Sequence, residues 1–381
     1  MWGAGAGFSD ETDADSAARE AAEQALEGAG GADSALVFVG PRHRPEVTSL
    51  LARVADVLGT PQIVGGLAHG VVARGFEVEG GFGVSVMAVR GLEAAPFWVP
   101  ELAGNEDALE HELHSRLGGV RDGDLVVLIP DPGALDPDAL LESVAEGCGS
   151  ATVVGAGAGD PVNAAPLVWS GGEIGSGALA GIVLRGARAQ RVGVTQACRP
   201  VTPLLTVTRT QPPWILELDG RPALDVYREA AGSPLADDLS RAAAFVLAGL
   251  PRDPDAPLDP GGYLVRNIGG FAPDANAFAI PEVLAKGDRI AFVHREPETA
   301  RDDLQAMLAG LGDAEPGLGL YFDCCARGAG FFGVPGLEAA YIERALGETP
   351  IAGMFGSCEL GPIGGRTELL TYTGVLALLD R

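Results

Sequence analysis

Positive charge is scarce in this chain of 381 residues: 26 Lys and Arg face 52 Asp and Glu, a formal net charge of -26, and Lys286 is the only lysine. The acidic residues are spread along the sequence rather than held in one tail, so the surface repels nucleic acid and anionic lipid. Cysteine is equally sparse. Cys148, Cys198, Cys324, Cys325 and Cys358 are five in number and lack paired-ligand spacing, which argues against both a disulfide framework and a zinc site. No apolar run approaches the roughly 18 residues of a membrane span, and even 125–129 is closed at once by Pro130-Asp131-Pro132. The stretch Ser9-Asp10-Glu11-Thr12-Asp13-Ala14-Asp15 has neither the basic head nor the apolar centre of a secretory signal. These absences predict a cytoplasmic protein with no nucleic-acid partner and no membrane insertion.

What is present is a chain that is 47% hydrophobic, with a mean hydropathy of +0.19, cut into short pieces by 56 glycines and 27 prolines. Its length exceeds the roughly 100–200 residues of one domain, so two domains are expected. A unit of strand, helix, strand and glycine turn recurs. It first occupies 35–39, 45–58 and 63–64 before Gly65-Gly66, then 125–129, 137–145 and 152–154 before Gly155, and finally 318–322, 336–346 and 350–352 before Gly353. A glycine-rich hairpin signal follows each copy, at 76–89, 168–184 and 369–379. The expected fold class is therefore α/β: two α/β domains with mixed sheets built from repeated β-α-β plus antiparallel hairpin units, sharing a cleft. The junction is placed between Asp219 and Tyr227, giving domains 1–221 and 222–381. Between the second and third copies, 204–207, 215–218, 262–266, 277–280 and 289–294 read as strands, and 235–248 and 297–311 as helices.

Nucleotide motifs are weak. Nothing matches the Walker loop, and in Gly155-x-Gly157-x-Gly159 the next fingerprint glycine falls on Asp160, whose carboxylate would repel a pyrophosphate. His111 and His114 share a helical face but stand among Glu110 and Glu112, as on a solvated surface. His69 occupies a glycine-flanked loop at the carboxyl end of a strand, where functional side chains collect. The third copy is denser. Phe322-Asp323-Cys324-Cys325-Ala326-Arg327-Gly328 and Gly356-Ser357-Cys358-Glu359 leave paired strands at one sheet edge, so a thiol, a guanidinium and a carboxylate converge where α/β sheets bind ligands. No histidine lies in those segments to serve as a general base, which argues against a Cys-His hydrolase. Arg327 and Glu359 are read either as ligand contacts or as an internal ion pair; both readings stay open.

The segments IVGGLAHGVVARGFEVE (63–79), QACRP (196–200), ELDGRPAL (217–224), YLVRN (263–267), LYFDCCARG (320–328) and IAGMFGSCELGP (351–362) together resemble the FIST family. The resemblance covers residues 17–379 and implies a bacterial sensory module with N-terminal and C-terminal halves. It implies a small-molecule ligand, with amino acids suggested, and some relatives are haem proteins. The family pattern F-x-C-x-x-R-G falls on Phe322, Cys324, Arg327 and Gly328. The later G-E-I-G-P falls on Cys358, Glu359, Leu360, Gly361 and Pro362, with Cys358 in place of glycine. After Arg366 the family often carries a histidine, whereas this chain has Leu369-Leu370-Thr371-Tyr372-Thr373. The resemblance adds Cys198, Arg199, Arg266 and Asn267 to His69, Cys324, Arg327 and Glu359 as candidate ligand-binding residues. A stand-alone sensor without catalytic residues follows, signalling to a separate protein. No cofactor is expected, although haem held by His69 or by cysteines near Arg327 is one alternative; the others are an interaction scaffold and an enzyme using Cys324 or Cys198 as nucleophile.

Overall fold

A computed structural model describes residues 2–105, 108–117, 119–160, 165–253, 258–259, 261–312 and 316–381. Asp107, which opens the stretch holding His111 and His114, lies outside the described residues. Both histidines are exposed on their helix, as the surrounding charges require.

The chain opens with β1 (Gly3–Ser9), α1 (Ala14–Ala29), β2 (Ser34–Val39), α2 (Val47–Leu58), β3 (Ile63–Leu67), β4 (Gly70–Ala73), β5 (Phe76–Glu79) and β6 (Val84–Arg90). The same order returns as β7 (Glu93–Val99), α3 (Ala108–Leu117), β8 (Leu125–Pro130), α4 (Pro137–Cys148), β9 (Thr152–Ala156), β10 (Val168–Ser170), β11 (Glu173–Gly175) and β12 (Leu179–Arg185). A third repeat starts at β13 (Ala189–Gln196) and is then interrupted. The interruption holds β14 (Cys198–Pro200), β15 (Leu205–Gln211), β16 (Trp214–Leu218), β17 (Arg221–Pro222), α5 (Ala223–Ala231), α6 (Leu239–Ala242), β18 (Val246–Pro251), β19 (Tyr263–Arg266), β20 (Gly270–Ala272), β21 (Ala277–Ala279) and β22 (Arg289–Arg295). The third repeat resumes with α7 (Pro297–Gly310), β23 (Pro316–Cys324), α8 (Ala329–Phe332), α9 (Leu337–Leu346), β24 (Ile351–Gly356), β25 (Glu359–Ile363), β26 (Arg366–Leu370) and β27 (Thr373–Asp380).

Two compact units result: Met1–Val194 with Gln305–Arg381, and Thr195–Leu304. The junction expected between Asp219 and Tyr227 falls inside the second unit, because the β-α-β copies on either side of it belong to one body. In the first unit each repeat builds one sheet of six strands, ordered β1-β6-β2-β3-β10-β11, β7-β12-β8-β9-β25-β26 and β13-β27-β23-β24-β4-β5. The central pairs β2/β3, β8/β9 and β23/β24 are parallel. The two strands after each parallel pair do not stay at home. β10 of the second repeat pairs with β3 of the first, β25 of the third with β9 of the second, and β4 of the first with β24 of the third. The hairpins are thus exchanged in a ring, which gives the unit an approximate threefold repeat.

The first strand shows how composition makes this possible. Gly3, Gly5 and Gly7 alternate on β1, and a Cβ on them would lie 2.8, 2.2 and 1.8 Å from the carbonyl oxygens of Ala29, Ala25 and Ala21. Helix α1 answers with a buried face of Ala14, Ala17, Ala18, Ala21, Ala22, Ala25 and Ala29. Small residues on both sides let helix and strand backbones touch. Asp13 caps the helix by accepting from the Ser16 N–H at 2.9 Å, and Gly30 ends it in the left-handed region at φ 68°.

The second unit is a sheet ordered β19-β18-β22-β15-β16-β21-β20, with β14 beside β22 and β17 beside β16. Tyr227 of α5 packs its ring 5.9 Å from Phe278 and 5.2 Å from Phe292. A single helix over 235–248 is not found: a 3-10 turn at Leu235–Asp237, then α6, then β18 occupy that span. Val246, Leu247 and Ala248 are wholly buried, and β18 lies between β19 and β22. Sheet pairing there overrides the helical spacing.

Candidate functional site

The three parallel pairs of the first unit end at a common meeting point. Gly65, Gly155 and Gly353 stand at equivalent places in β3, β9 and β24, facing Val37, Leu128 and Tyr321. A Cβ on them would sit 1.8, 1.9 and 1.8 Å from those residues' carbonyl oxygens. Only glycine fits so close an approach. Two residues further on, the carbonyls of Leu67, Gly157 and Phe355 each accept a backbone N–H from another repeat: Gly159 onto Leu67 at 2.9 Å, Ser357 onto Gly157 at 3.0 Å, and His69 onto Phe355 at 2.9 Å. His69, Gly159 and Ser357 are therefore one position seen three times.

Their side chains divide the space. A Cβ on Gly159 would lie 2.1 Å from His69 Cδ2, so its absence makes room for the ring. His69 Nε2 stands 3.2 Å from Ser357 Oγ, which donates to the Ala158 carbonyl at 3.0 Å. With that hydroxyl proton committed, the imidazole nitrogen acts as donor and leaves Ser357 unactivated as a nucleophile. Burial holds the His69 pKa below its ordinary value against the opposing pull of Asp160. The Asp160 side chain is shut off from solvent and paired with Arg44 at 2.8 Å. His69 is poorly placed for haem: Nε2 faces Ser357 and Gly159 closes one flank. No group of three or more His, Cys, Asp or Glu that could hold a metal ion occurs among the described residues.

The third repeat supplies the thiols. Cys324 is buried at the end of β23, and its sulfur accepts from the Tyr372 N–H at 3.3 Å. Cys325 is exposed, and its N–H donates to Gly356 at 2.9 Å. Glu359 is wholly buried; Oε2 accepts from Thr373 Oγ1 at 2.7 Å, while Oε1 has no hydrogen-bond donor. Burial, then the neighbouring Cys324 thiol, push the Glu359 pKa well up, so this carboxyl is held neutral.

Arg327 does not pair with Glu359. It is fully buried and bonds Asp323 at 3.1 Å and Glu338 through two nitrogens. Its fork is thus spent on two carboxylates of its own repeat. Burial, then the charge of Glu338, raise the Asp323 pKa, and burial lifts Glu77 to about 7, with its Oε1 accepting from the Ala339 N–H at 2.6 Å. This is a buried charge network rather than an open clamp.

The remaining four sequence candidates lie in the second unit. Cys198 is buried, with its carbonyl accepting from Tyr263 at 2.7 Å. Arg199 grips Glu296 with bonds of 2.7 and 2.8 Å, which holds that carboxyl at about 2. Arg266 donates to Glu282 at 2.8 Å, and Asn267 is exposed. The first unit brings Cys324 to Glu359 and, separately, His69 to Ser357; the residues missed from sequence are Ser357, Gly159, Asp160 and Cys325. Their signal was the Gly155-x-Gly157-x-Gly159 spacing, which marks close strand approach and not a nucleotide loop. An open groove of about 1340 Å³ lies at the other ends of β23 and β24, lined by Gln24, Arg74, Glu343, Ile351 and Arg381 among others. None of the sequence candidates lines it, and the carboxyl edge is favoured because unpaired polar groups collect there.

The FIST N domain model matches residues 33–221 and the FIST C domain model residues 223–362. The break between the two matched ranges differs from the division into compact units, because the two halves of the chain share sheets. An uncharacterised protein of Mycobacterium tuberculosis is 31% identical over 390 residues, covering 98% of each chain. An uncharacterised protein of Mycobacterium bovis is 31% identical over 385 residues, again covering 98% of each. Matched by both domain models in order and over most of its length, this chain belongs to the FIST family.

Proposed function

We propose that this protein is a small-ligand-binding sensory protein in signal transduction, and that an amino-acid-like ligand binds where the carboxyl-terminal loops of the three repeats meet. The observation that carries the reading is the junction of His69 and Ser357, both half-buried, two residues along the chain from a wholly buried Glu359 whose Oε1 has no donor. An orphaned buried carboxyl oxygen is costly, and a ligand N–H or ammonium supplies the missing partner. The neutral His69 imidazole and the Ser357 hydroxyl offer further polar contacts. Binding ties three repeats together at one point, so occupancy changes the rigidity of the whole first unit and can be read by a separate signalling protein. A thermal-shift panel of amino acids tests this. A ligand at a hundred times its Kd raises stability by about 2.7 kcal/mol, and His69→Ala should abolish the shift. A panel in which no compound moves the midpoint of the unaltered protein speaks against the reading.

A further inference from the structure

β1 forms an outer edge of its sheet and pairs with β6 on one side only. The backbone of such a strand turns alternate residues toward its neighbour and away from it. Phe8 turns away, because its N–H donates to the Gln24 side-chain oxygen at 3.1 Å rather than to β6. Alternation then turns Ala6 and Ala4 the same way, and among the described residues no bond reaches the outward N–H or C=O of either. Both residues are nevertheless buried, at 6% and 1% exposure. They also form part of the wall of the groove of about 1340 Å³ within the first unit. Buried backbone groups without partners are rare, and the free edge of a strand is a template for pairing with another.

We propose that this groove is a docking site for an extended peptide segment of a partner protein, which adds itself to β1 as a further strand. Main-chain bonds to Ala4 and Ala6 supply affinity, and the groove walls select side chains. Ile342 and Leu346 of α9 give the wall an apolar stretch, so alternate residues of the peptide are apolar. The groove is also lined by two arginines and three glutamates, and the arginines are already engaged: Arg74 donates to Gln24 at 3.4 Å, and Arg381 lies over the Trp2 ring, 5.8 Å from its centroid. Glu27, Glu343 and Glu348 form no ion pair among the described residues, which suits a peptide bearing basic residues. A free amino acid has no run of amides at strand spacing and does not satisfy both alanines, so this site is distinct from the one at the carboxyl edge. The proposal goes beyond ligand binding, because it gives the chemistry of a protein partner.

The test selects a displayed library of random peptides, about six residues long, on the full-length protein at physiological salt. Enriched sequences should alternate apolar residues with polar or basic ones. Each is then synthesised and its affinity measured by fluorescence anisotropy, beside copies N-methylated at alternate amides in either phase. One phase should bind about tenfold more weakly and the other as before, since only one edge of the peptide faces β1. Ala6→Pro removes an outward N–H without touching the β6 ladder and should weaken binding about fivefold. No enriched peptide, enriched peptides indifferent to methylation in both phases, or a folded Ala6→Pro that binds as tightly as the unaltered protein overturns the proposal. Should Ala6→Pro not fold, the methylation comparison on the unaltered protein decides. No small ligand enters this assay, so its failure leaves the binding reading untouched, and the reverse also holds.

Discussion

Arg327 sits among more carboxylate than it can neutralise, with Asp323 and Glu338 bonded to it and Glu77 close by. Breaking such a pair from one side leaves an uncompensated buried charge. Arg327→Met and Glu338→Gln should each cost about 3–5 kcal/mol in urea unfolding, with part of the loss recovered in the double variant. If Glu359→Gln instead couples to Arg327→Met, this assignment of partners is wrong. The same network makes stability depend on pH. Glu77 has a folded pKa of about 7 against an ordinary 4.5, so the folded state binds the proton more tightly. Its contribution is complete below pH 4.5 and is lost as pH rises through 7, by roughly 3 kcal/mol. Glu77→Gln should flatten that slope, and an unchanged slope would assign it to other groups. At this scale the sequence indicated that Arg327 and Glu359 share an edge, since both follow paired strands. It could not indicate that Glu338, 11 residues from Arg327, returns on a helix to claim the guanidinium.

Each β-α-β element was legible because a buried parallel strand is a continuous apolar run and its helix has a 3.6-residue period. The opening strand of the first repeat was not, because Gly-Ala alternation lacks the branched and aromatic side chains that mark a strand. Nor could periodicity reveal the exchange of hairpins, since alternation says which face of a strand is buried but not which neighbour it joins. Glycine positions test this picture. Gly353→Ala places a methyl 1.8 Å from the Tyr321 carbonyl and should cost more than about 2 kcal/mol. Gly310→Ala, in helix α7 with nothing within 4 Å of the added carbon, should stabilise by about 0.5–1 kcal/mol. Equal effects in chemical denaturation would contradict the close-approach account of the strand glycines.

For the whole molecule, the second compact unit is an insertion into the third repeat. The chain enters and leaves it at nearly one point, since the Glu296 N–H donates to the Ala197 carbonyl at 3.0 Å. Replacing residues 198–295 with a short flexible linker should therefore leave the three-sheet unit folded, as judged by circular dichroism and a cooperative melt. Separate fragments 1–221 and 222–381 should not fold alone, because two of the three sheets draw strands from both. Independent folding of those fragments would contradict the shared-sheet account. The central claim, that ligand binds where the three repeats meet, is tested most directly by hydrogen–deuterium exchange with the amino acid that most raises the melting midpoint. Slowed exchange at 67–69, 156–160 and 356–359 is the predicted result; slowing confined to 72–75 and 343–351, around the groove at the opposite strand ends, would contradict it.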